Sequence, residues 1–562
     1  MGSSFADRPR LRTGPKNRKD KKLIQYKRGP IPALRSLLTG LLLLASVSPC
    51  SGYFLDKQVH SLVNSWSRFD RFLATFDPAG RYVRQPIERQ IPALTFKGFY
   101  RQWSDIQLSG DRRVGNRKKD FRFSQMQHQL ELELHYQISP NIEITNVNNF
   151  VYDAVYNWQD SAGLYAPRVS ETTRVYHNFE RTVRELYLSY RTHNLDVVLG
   201  KQQIAWGKMD GQYIDVINGM DRRESVQLEA SDYEWRRQPA WMANVTYFFG
   251  ANSLNVLYIP NFEQDRNPVP GSPWYSPLIP PRDDDVKSLL DGRSEPSGDT
   301  FRKTQRPSAG DFGDHQYAVR LDVSMEPLTW GLIYYYAWDK NPSPFIVGSN
   351  VDADGNTNLE FQPKFQRMHH IGITADYASA LSGVPFVGEL PLVLRVEGLW
   401  TRDVPFVDFD HQQAARDGSR NSGIVTRDTM RAAMAFEFAF PGNTTFLFQP
   451  SLLYTFDWRE SLGSGFGGAV GDEWNVLPVL YAERPFRFTR DRLRVGLTLI
   501  PWISGPIREW QGIKSRLVAT YRFSQFITGR MTYTTYSSGD RRDVYGQYNH
   551  WDNLGWELSY EF

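Results

Sequence analysis

Between residues 125 and 138 the chain alternates with period two. Met126, Leu130, Leu132, Leu134, Tyr136 and Ile138 take one parity; Gln125, Gln127, Gln129, Glu131, Glu133, His135 and Gln137 take the other. Period two over this length is a strand with one apolar and one polar face, and no helix shows it. The turn Ser139-Pro140-Asn141 leads into a second alternating run from Ile142. The unit then recurs as strand, short turn, strand and long polar segment. Short turns fall at 192–194, 250–252, 326–328, 441–443 and 524–525, and long segments near 159–182, 200–240, 261–314, 339–364, 402–428 and 457–475. Regular alternation of short and long connections predicts an all-β fold, a transmembrane antiparallel up-and-down β-barrel with periplasmic turns and extracellular loops.

Strands are expected near 94–108, 121–138, 142–157, 183–191, 195–205, 241–249, 254–260, 315–325, 329–338, 365–377, 390–401, 429–440, 444–456, 476–488, 492–501, 514–523, 526–536 and 552–562. That makes about eighteen, an even number that leaves both barrel ends on the side of the short turns. Sixteen is the alternative count, because 476–488 and the longer turn at 378–389 carry the weakest patterns. The last run, Trp556-Glu557-Leu558-Ser559-Tyr560-Glu561-Phe562, alternates to the final residue. It resembles the terminal strand read by the bacterial barrel-assembly machinery, with Tyr560 and Phe562 as the assembly signal. An outward apolar face of this kind implies outer-membrane lipid as its neighbour.

The first ninety residues read differently. Residues 1–36 are rich in Lys and Arg, and the apolar run 37–47 comes next. A run this short suits a signal-peptide core and does not span a bilayer, so residues 1–52 are expected to be a secretory signal cleaved near 50–52. Leu55, Val59, Leu62, Val63, Trp66, Phe69, Phe72, Leu73 and Phe76 then recur at helical spacing up to Asp77-Pro78-Ala79-Gly80. Residues 53–90 therefore read as an amphipathic helix and linker, a lumen plug or a periplasmic cap, ahead of a barrel at 91–562.

Charge changes sign once the leader is set aside. Overall the chain carries 66 Lys+Arg and 62 Asp+Glu, but beyond residue 52 these become 55 and 60. No basic excess remains to suggest a nucleic-acid partner. Cys50 is the single cysteine, so the mature chain holds no disulfide. Low mean hydropathy with 14% aromatic residues excludes a helical membrane protein and fits strands that alternate lipid- and lumen-facing positions.

Assigning the apolar parity to lipid sends the other parity inward. Glu131, Glu133, His135 and Glu185 come from early strands, and Arg494, Arg516, Arg522 and Arg530 from late ones. Arg320 with Asp322, Arg395 with Glu397, and Arg431 with Glu437 share faces in between. Two readings stay open: a network of salt bridges that stiffens the wall, or an acidic wall opposite a basic one that orders solutes across the lumen.

Chemistry is sparse elsewhere. The ten histidines form no HExxH pair, and His369-His370 on a strand point to opposite faces. The tract at 463–468 lacks the spacing of a nucleophile elbow. Asp352, Asp354, Asn356, Asn358 and Glu360 offer oxygen ligands at alternate positions, but Gly355 is not where a calcium loop requires it. No catalytic residue, no metal and no cofactor is expected, and no CxxCH occurs to hold a haem.

One segment resembles a known signature. Leu199-Gly200-Lys201-Gln202-Gln203-Ile204-Ala205-Trp206-Gly207, with Asp210, Asp215-Val216-Ile217-Asn218 and Arg222, is similar to the signature of an uncharacterised outer-membrane barrel family of proteobacteria, a domain-of-unknown-function group. That family often appears encoded beside RND-type exporters and periplasmic lipoproteins. The resemblance implies such partners, a Gram-negative outer membrane, and passage of hydrophobic or lipid-like compounds. By its own chemistry Trp206-Gly207 reads as an interface tryptophan with a bend where its strand leaves the membrane. The alternative folds residues 207–240 inward, with Asp210, Asp215 and Arg222 lining the pore. Function is thus expected to be an outer-membrane channel or transporter, or a barrel that scaffolds an envelope transport or electron-transfer complex.

Overall fold

The computed structural model describes residues 75–108, 122–155, 182–209, 214–222, 236–266, 299–385, 387–464, 469–470, 472–506, 509–539, 543–549 and 551–562, all within the compact unit Val63–Phe562. The early part of the expected amphipathic helix and the proline-rich part of the 261–314 loop lie outside these residues. Eighteen antiparallel strands close into a barrel.

In chain order they are β1 (Leu94–Gln107), β2 (Arg122–Ser139), β3 (Ile142–Asp153), β4 (Val183–Arg191), β5 (Leu195–Gln202), β6 (Ala240–Phe249), β7 (Asn252–Ile259), β8 (Gln316–Met325) and β9 (Leu328–Trp338). The second half comprises β10 (Arg367–Val384), β11 (Gly388–Asp408), β12 (Ile424–Phe440), β13 (Thr444–Gln449 and Ser451–Thr455), β14 (Trp474–Val476 and Val479–Pro485), β15 (Leu493–Gly505), β16 (Trp510–Arg522), β17 (Ile527–Ser537) and β18 (Asn553–Glu561). Each strand pairs with its sequence neighbour, and β1 pairs with β18 from Phe99↔Glu561 to Gln107↔Asn553, which removes every free edge.

Alternation sets which face meets lipid. Tyr100, Phe150, Leu188, Leu254, Leu332, Tyr334, Ile371, Met531 and Leu558 are exposed on the outside, whereas Gln127, Ala318, Tyr335, Thr374 and Glu397 are buried within. An apolar exterior with a polar, partly filled interior is what a bilayer requires of a closed sheet. One bulge matters for the interior. Between Val147↔Glu185 and Asn148↔Val183 the register slips, so Arg184 and Glu185 both turn inward despite being adjacent.

Three expectations change. The expected turn 378–389 is strand on both sides, with β10 running on to Val384 and β11 returning from Gly388. Helical turns also continue past Asp77–Gly80, where the helical spacing was expected to end, through Gly80–Arg84 and helix α1 (Gln85–Gln90). Finally β5 ends at Gln202 rather than near 205, and the chain beyond it leaves the wall.

On the long-connection side, a hairpin (Ser343–Val351 with Thr357–Lys364) packs on helix α2 (Phe409–Arg416), burying Leu359, Phe361 and Ala415. The Arg416 guanidinium bonds both Asp299 oxygens, at 2.9 and 2.5 Å. Asp352 commits its carboxylate to the hairpin turn, accepting from the amides of Asp354 and Asn356, and Glu360 pairs with Arg302 at 2.6 Å. Among the described residues no group of three or more His, Cys, Asp or Glu is arranged to hold a metal.

Candidate functional site

After Gln202 the chain turns into the lumen. Ile204, Trp206, Ile214 and Ile217 are buried against inward side chains of four consecutive strands: Ala240 and Met242 of β6, Leu257 and Ile259 of β7, Ala318 of β8, and Ile333, Tyr335 and Ala337 of β9. Leu399 of β11 joins the same cluster. Met209 packs farther round, on Ala433 and Ala435 of β12. Two arms, 203–209 and 214–222, thus form a hairpin that tracks the inner wall from β5 to β12. Trp206 is 7% exposed inside this cluster, so it is not an interface anchor. The apolar residues here serve an inner face, and a reading confined to the lipid side missed them.

The signature residues build this hairpin. Gly200 has φ +140°, and a Cβ there would stand 2.3 Å from the Leu186 carbonyl oxygen, so only glycine lets β5 pass β4 at the point of departure. Gln203 donates to Glu185 Oε1 at 2.9 Å. Gly207 permits the arms to approach: its Cβ would lie 3.3 Å from side-chain atoms of both Ile214 and Asp215. Asn218 ties the arms, accepting from the Ile204 amide at 2.8 Å and donating to the Gln238 carbonyl at 2.9 Å. Asp215 takes Arg237 at 2.6 Å. Arg222 faces Asp265 at 3.5 Å, and Asp210 lies outside the described residues.

Polar groups then fix the hairpin to the wall. Arg320 of β8 holds Asp322 at 2.8 Å and also donates to the Trp206 carbonyl at 2.7 Å. The Lys208 amide donates to Glu397 Oε1 at 2.6 Å, and its ammonium meets Asp376 at 2.5 Å. Arg395 reaches Glu437 at 2.6 Å and Asp376 at 3.5 Å. Lys208, Asp376, Arg395 and Glu437 thus form a ladder of alternating charge, with the Arg320–Asp322 pair also held against the hairpin. Of the three same-face pairs expected from sequence, Arg320–Asp322 is a contact. Arg395 instead crosses to the strands on either side, Glu397 turns to the hairpin, and Arg431 sits exposed on the inward face of β12. Lys208 and Asp376 had no signal in the strand pattern, since one lies past the end of β5 and the other inside a strand of ordinary polarity.

Around the rest of the lumen, acids and bases are matched locally. Glu131 pairs with Arg184 at 2.8 Å and Glu133 with Lys97 at 2.9 Å; His135 lies between Glu133 and Glu143, at 3.4 and 3.6 Å. Arg494 meets Glu483 at 3.3 Å and Arg530 meets Glu557 at 3.2 Å. Arg516 and Arg522 take the same inward parity on β16, beside outward Leu517. His369 faces out to Tyr334, and His370 faces in to Thr401.

A second set of contacts anchors the hairpin's root. Asp265 accepts from the Met220 amide at 2.8 Å and from Asn341 at 3.3 Å, and its own amide bonds the Lys340 carbonyl. Next to it, loss of hydration pushes Asp339 up to about 6, against the opposing pull of the Asn341 amide, and pushes Lys340 down to about 8, against the pull of Asp265. Protonated Asp339 therefore stabilises the fold: its contribution is complete below its ordinary pKa of 3.8 and is lost as pH rises through 6. For Lys340 the contribution is complete above 10.5 and is lost as pH falls through 8. In detergent, the rise in melting temperature between pH 7 and pH 5 should be smaller in Asp339→Asn than in the unaltered barrel. An equal rise in both would show that Asp339 does not titrate there.

Lys208 is 56% exposed, so its pair with Asp376 adds less than about 1 kcal/mol to stability. Its position matters more than its energy. Lys208→Ala should leave the melting temperature nearly unchanged, while reversal potentials in asymmetric KCl move toward cation preference. A melting temperature that falls by several degrees would make Lys208 a structural residue instead.

A family model described as "Protein of unknown function (DUF1302)" matches residues 73–562. No curated protein matches the chain. Solved structures similar in fold include the outer membrane protein opdK from Pseudomonas aeruginosa, at 8% identity and TM-score 0.46, over 84% of this chain and 99% of that one. OccAB3 from Acinetobacter baumannii aligns at 7% identity and TM-score 0.47, over 84% and 100%. A BenF-like porin from Pseudomonas fluorescens Pf-5 aligns at 8% and 0.45, over 84% and 98%.

Proposed function

The chain belongs to the DUF1302 family of proteins of unknown function, and we propose that it is an outer-membrane channel through which a small polar solute passes beside the inward hairpin. The observation that carries this reading is the hairpin's two-sidedness. Its apolar side chains are packed on the wall, and its charged Lys208 joins a ladder of alternating charge that remains partly open to solvent. Glu437 is 37% exposed and Arg494 52% exposed on inward faces, so water and ions have charged surface to travel along.

This arrangement favours a polar solute over a lipid-like one. A conduit for hydrocarbon needs a continuous apolar track, because each unpaired charge along it opposes an apolar cargo. Here the buried apolar inner residues of β6 to β9 are already covered by the hairpin. Four cations (Lys208, Arg320, Arg395, Arg431) and four carboxylates (Asp322, Asp376, Glu397, Glu437) lie on the inner faces of the hairpin and of β8 to β12, a balance that favours neutral or zwitterionic solutes over ions of one sign. Purified barrel in planar bilayers should give steady single-channel currents with weak ion selectivity, and vesicles containing it should swell in sugars or amino acids. A barrel silent in both assays would overturn the channel and favour the scaffold reading.

A further inference from the structure

Residues 75–91 sit where β1 meets β18, on the rim that carries the short turns. Phe76 stands edge-on to the Tyr560 ring, with centroids 6.0 Å apart. The Tyr560 hydroxyl donates to Asp77 Oδ1 at 2.8 Å and accepts from the Ala79 amide at 3.0 Å. Asp77 is 7% exposed and also accepts from the Gly80 amide at 2.9 Å. Beyond the last pairing of the seam, Gly98 with Phe562, Glu88 Oε1 accepts from the Phe96 amide at 3.2 Å, completing an edge that β18 no longer covers. The Phe562 ring lies 5.9 Å from Phe96 and 5.5 Å from Tyr560.

Parity places this contact on the lipid side. Tyr560 is opposite Tyr100 and two residues from Leu558, and both of those are exposed on the outer belt. The segment shows Tyr82 at 79% exposure, Val83 at 42% and Ile91 at 44%, with Arg81 and Arg89 exposed among them. Large apolar side chains interleaved with arginines, on a surface continuous with a lipid-facing belt, match the boundary between headgroups and acyl chains.

We propose that residues 75–91 are an in-plane clip, seated at headgroup level in the leaflet on the short-turn side, which binds phospholipid phosphate through Arg81 and Arg89 and holds the β1–β18 seam closed. Guanidinium groups suit phosphate through paired charge-assisted hydrogen bonds. Apolar Tyr82 and Val83 enter the boundary beside them, and the Asp77–Tyr560 contact transmits that anchorage to the seam.

Depth is measurable in the reconstituted full barrel, in a Cys50→Ser background within phosphatidylethanolamine–phosphatidylglycerol vesicles. Nitroxides are placed at Tyr82→Cys, at Leu558→Cys as the lipid reference and at Asn194→Cys as the water reference, and quenching by oxygen and by a nickel chelate is compared. The clip predicts a label at 82 that is better protected from nickel than the label at 194, and less protected once Arg81 and Arg89 are both Gln. A label at 82 as nickel-accessible as that at 194, or indifferent to the arginines, would overturn the membrane contact. Tyr560→Phe should lower the temperature at which the barrel loses its compact gel migration, with Asp77→Asn adding little on top. Equal and additive losses, or none, would overturn the coupling to the seam.

Discussion

Replacing residues 204–217 by a short glycine–serine linker should raise single-channel conductance several-fold. The hairpin covers the inner side of the wall from β5 to β12, so its removal widens the lumen there, and conductance rises with open cross-section. The loss exposes Leu257, Ile259, Ile333, Tyr335 and Leu399 to lumen water, which costs stability at about 25 cal/mol per Å² of apolar surface. The barrel should nevertheless persist, because its strand ladder closes independently of the hairpin. Circular dichroism and heat-dependent gel migration report whether it has. A folded variant with unchanged conductance would mean that the hairpin does not limit flow.

The second large effect is expected at the hairpin's point of departure. Gly200→Val should sharply reduce the amount of assembled barrel and lower the urea midpoint of the fraction that does assemble. A non-glycine residue held at positive φ costs about 1–3 kcal/mol. The added Cβ would also stand 2.3 Å from the Leu186 carbonyl oxygen and 2.7 Å from Tyr187 Cα, so β5 must part from β4. Gly355, at φ +85° with open space around it, is the control: Gly355→Ala should incur only the backbone strain and assemble well. Equal assembly of Gly200→Val and Gly355→Ala would remove the case for a special junction.

The wall was legible because lipid imposes a strict rule. Spanning residues on one parity must be mostly apolar, so Met126 to Ile138 could be read directly as one strand face, and pairing then fixed the rest. Strands were hardest to delimit where small residues carry no alternation, as at Ala378, Ser379, Ala380, Ser382 and Gly383 of β10. Inside the lumen no such rule exists. Glu131, Glu133 and His135 were assignable to the interior by parity, but their partners Arg184 and Lys97 depend on a bulge and on neighbouring strands. The hairpin was the least legible part. Ile204 and Trp206 fall on the parity of Val198 and Gln202, opposite to outward Leu199, and two residues past the end of a strand are too few to mark an inner apolar face. The remaining clue lies in the signature itself, where Asn218 and Asp215 carry side chains that hold two chain segments together rather than line a surface.

The most direct test of a hairpin-lined channel is thiol modification of Lys208→Cys in a Cys50→Ser background, monitored in single channels. Open channels are expected, with a stepwise drop in current when a charged methanethiosulfonate attaches at position 208 and recovery on reduction. Channels that stay open and unaffected after confirmed modification would place residue 208 away from the pathway and contradict a hairpin-lined route.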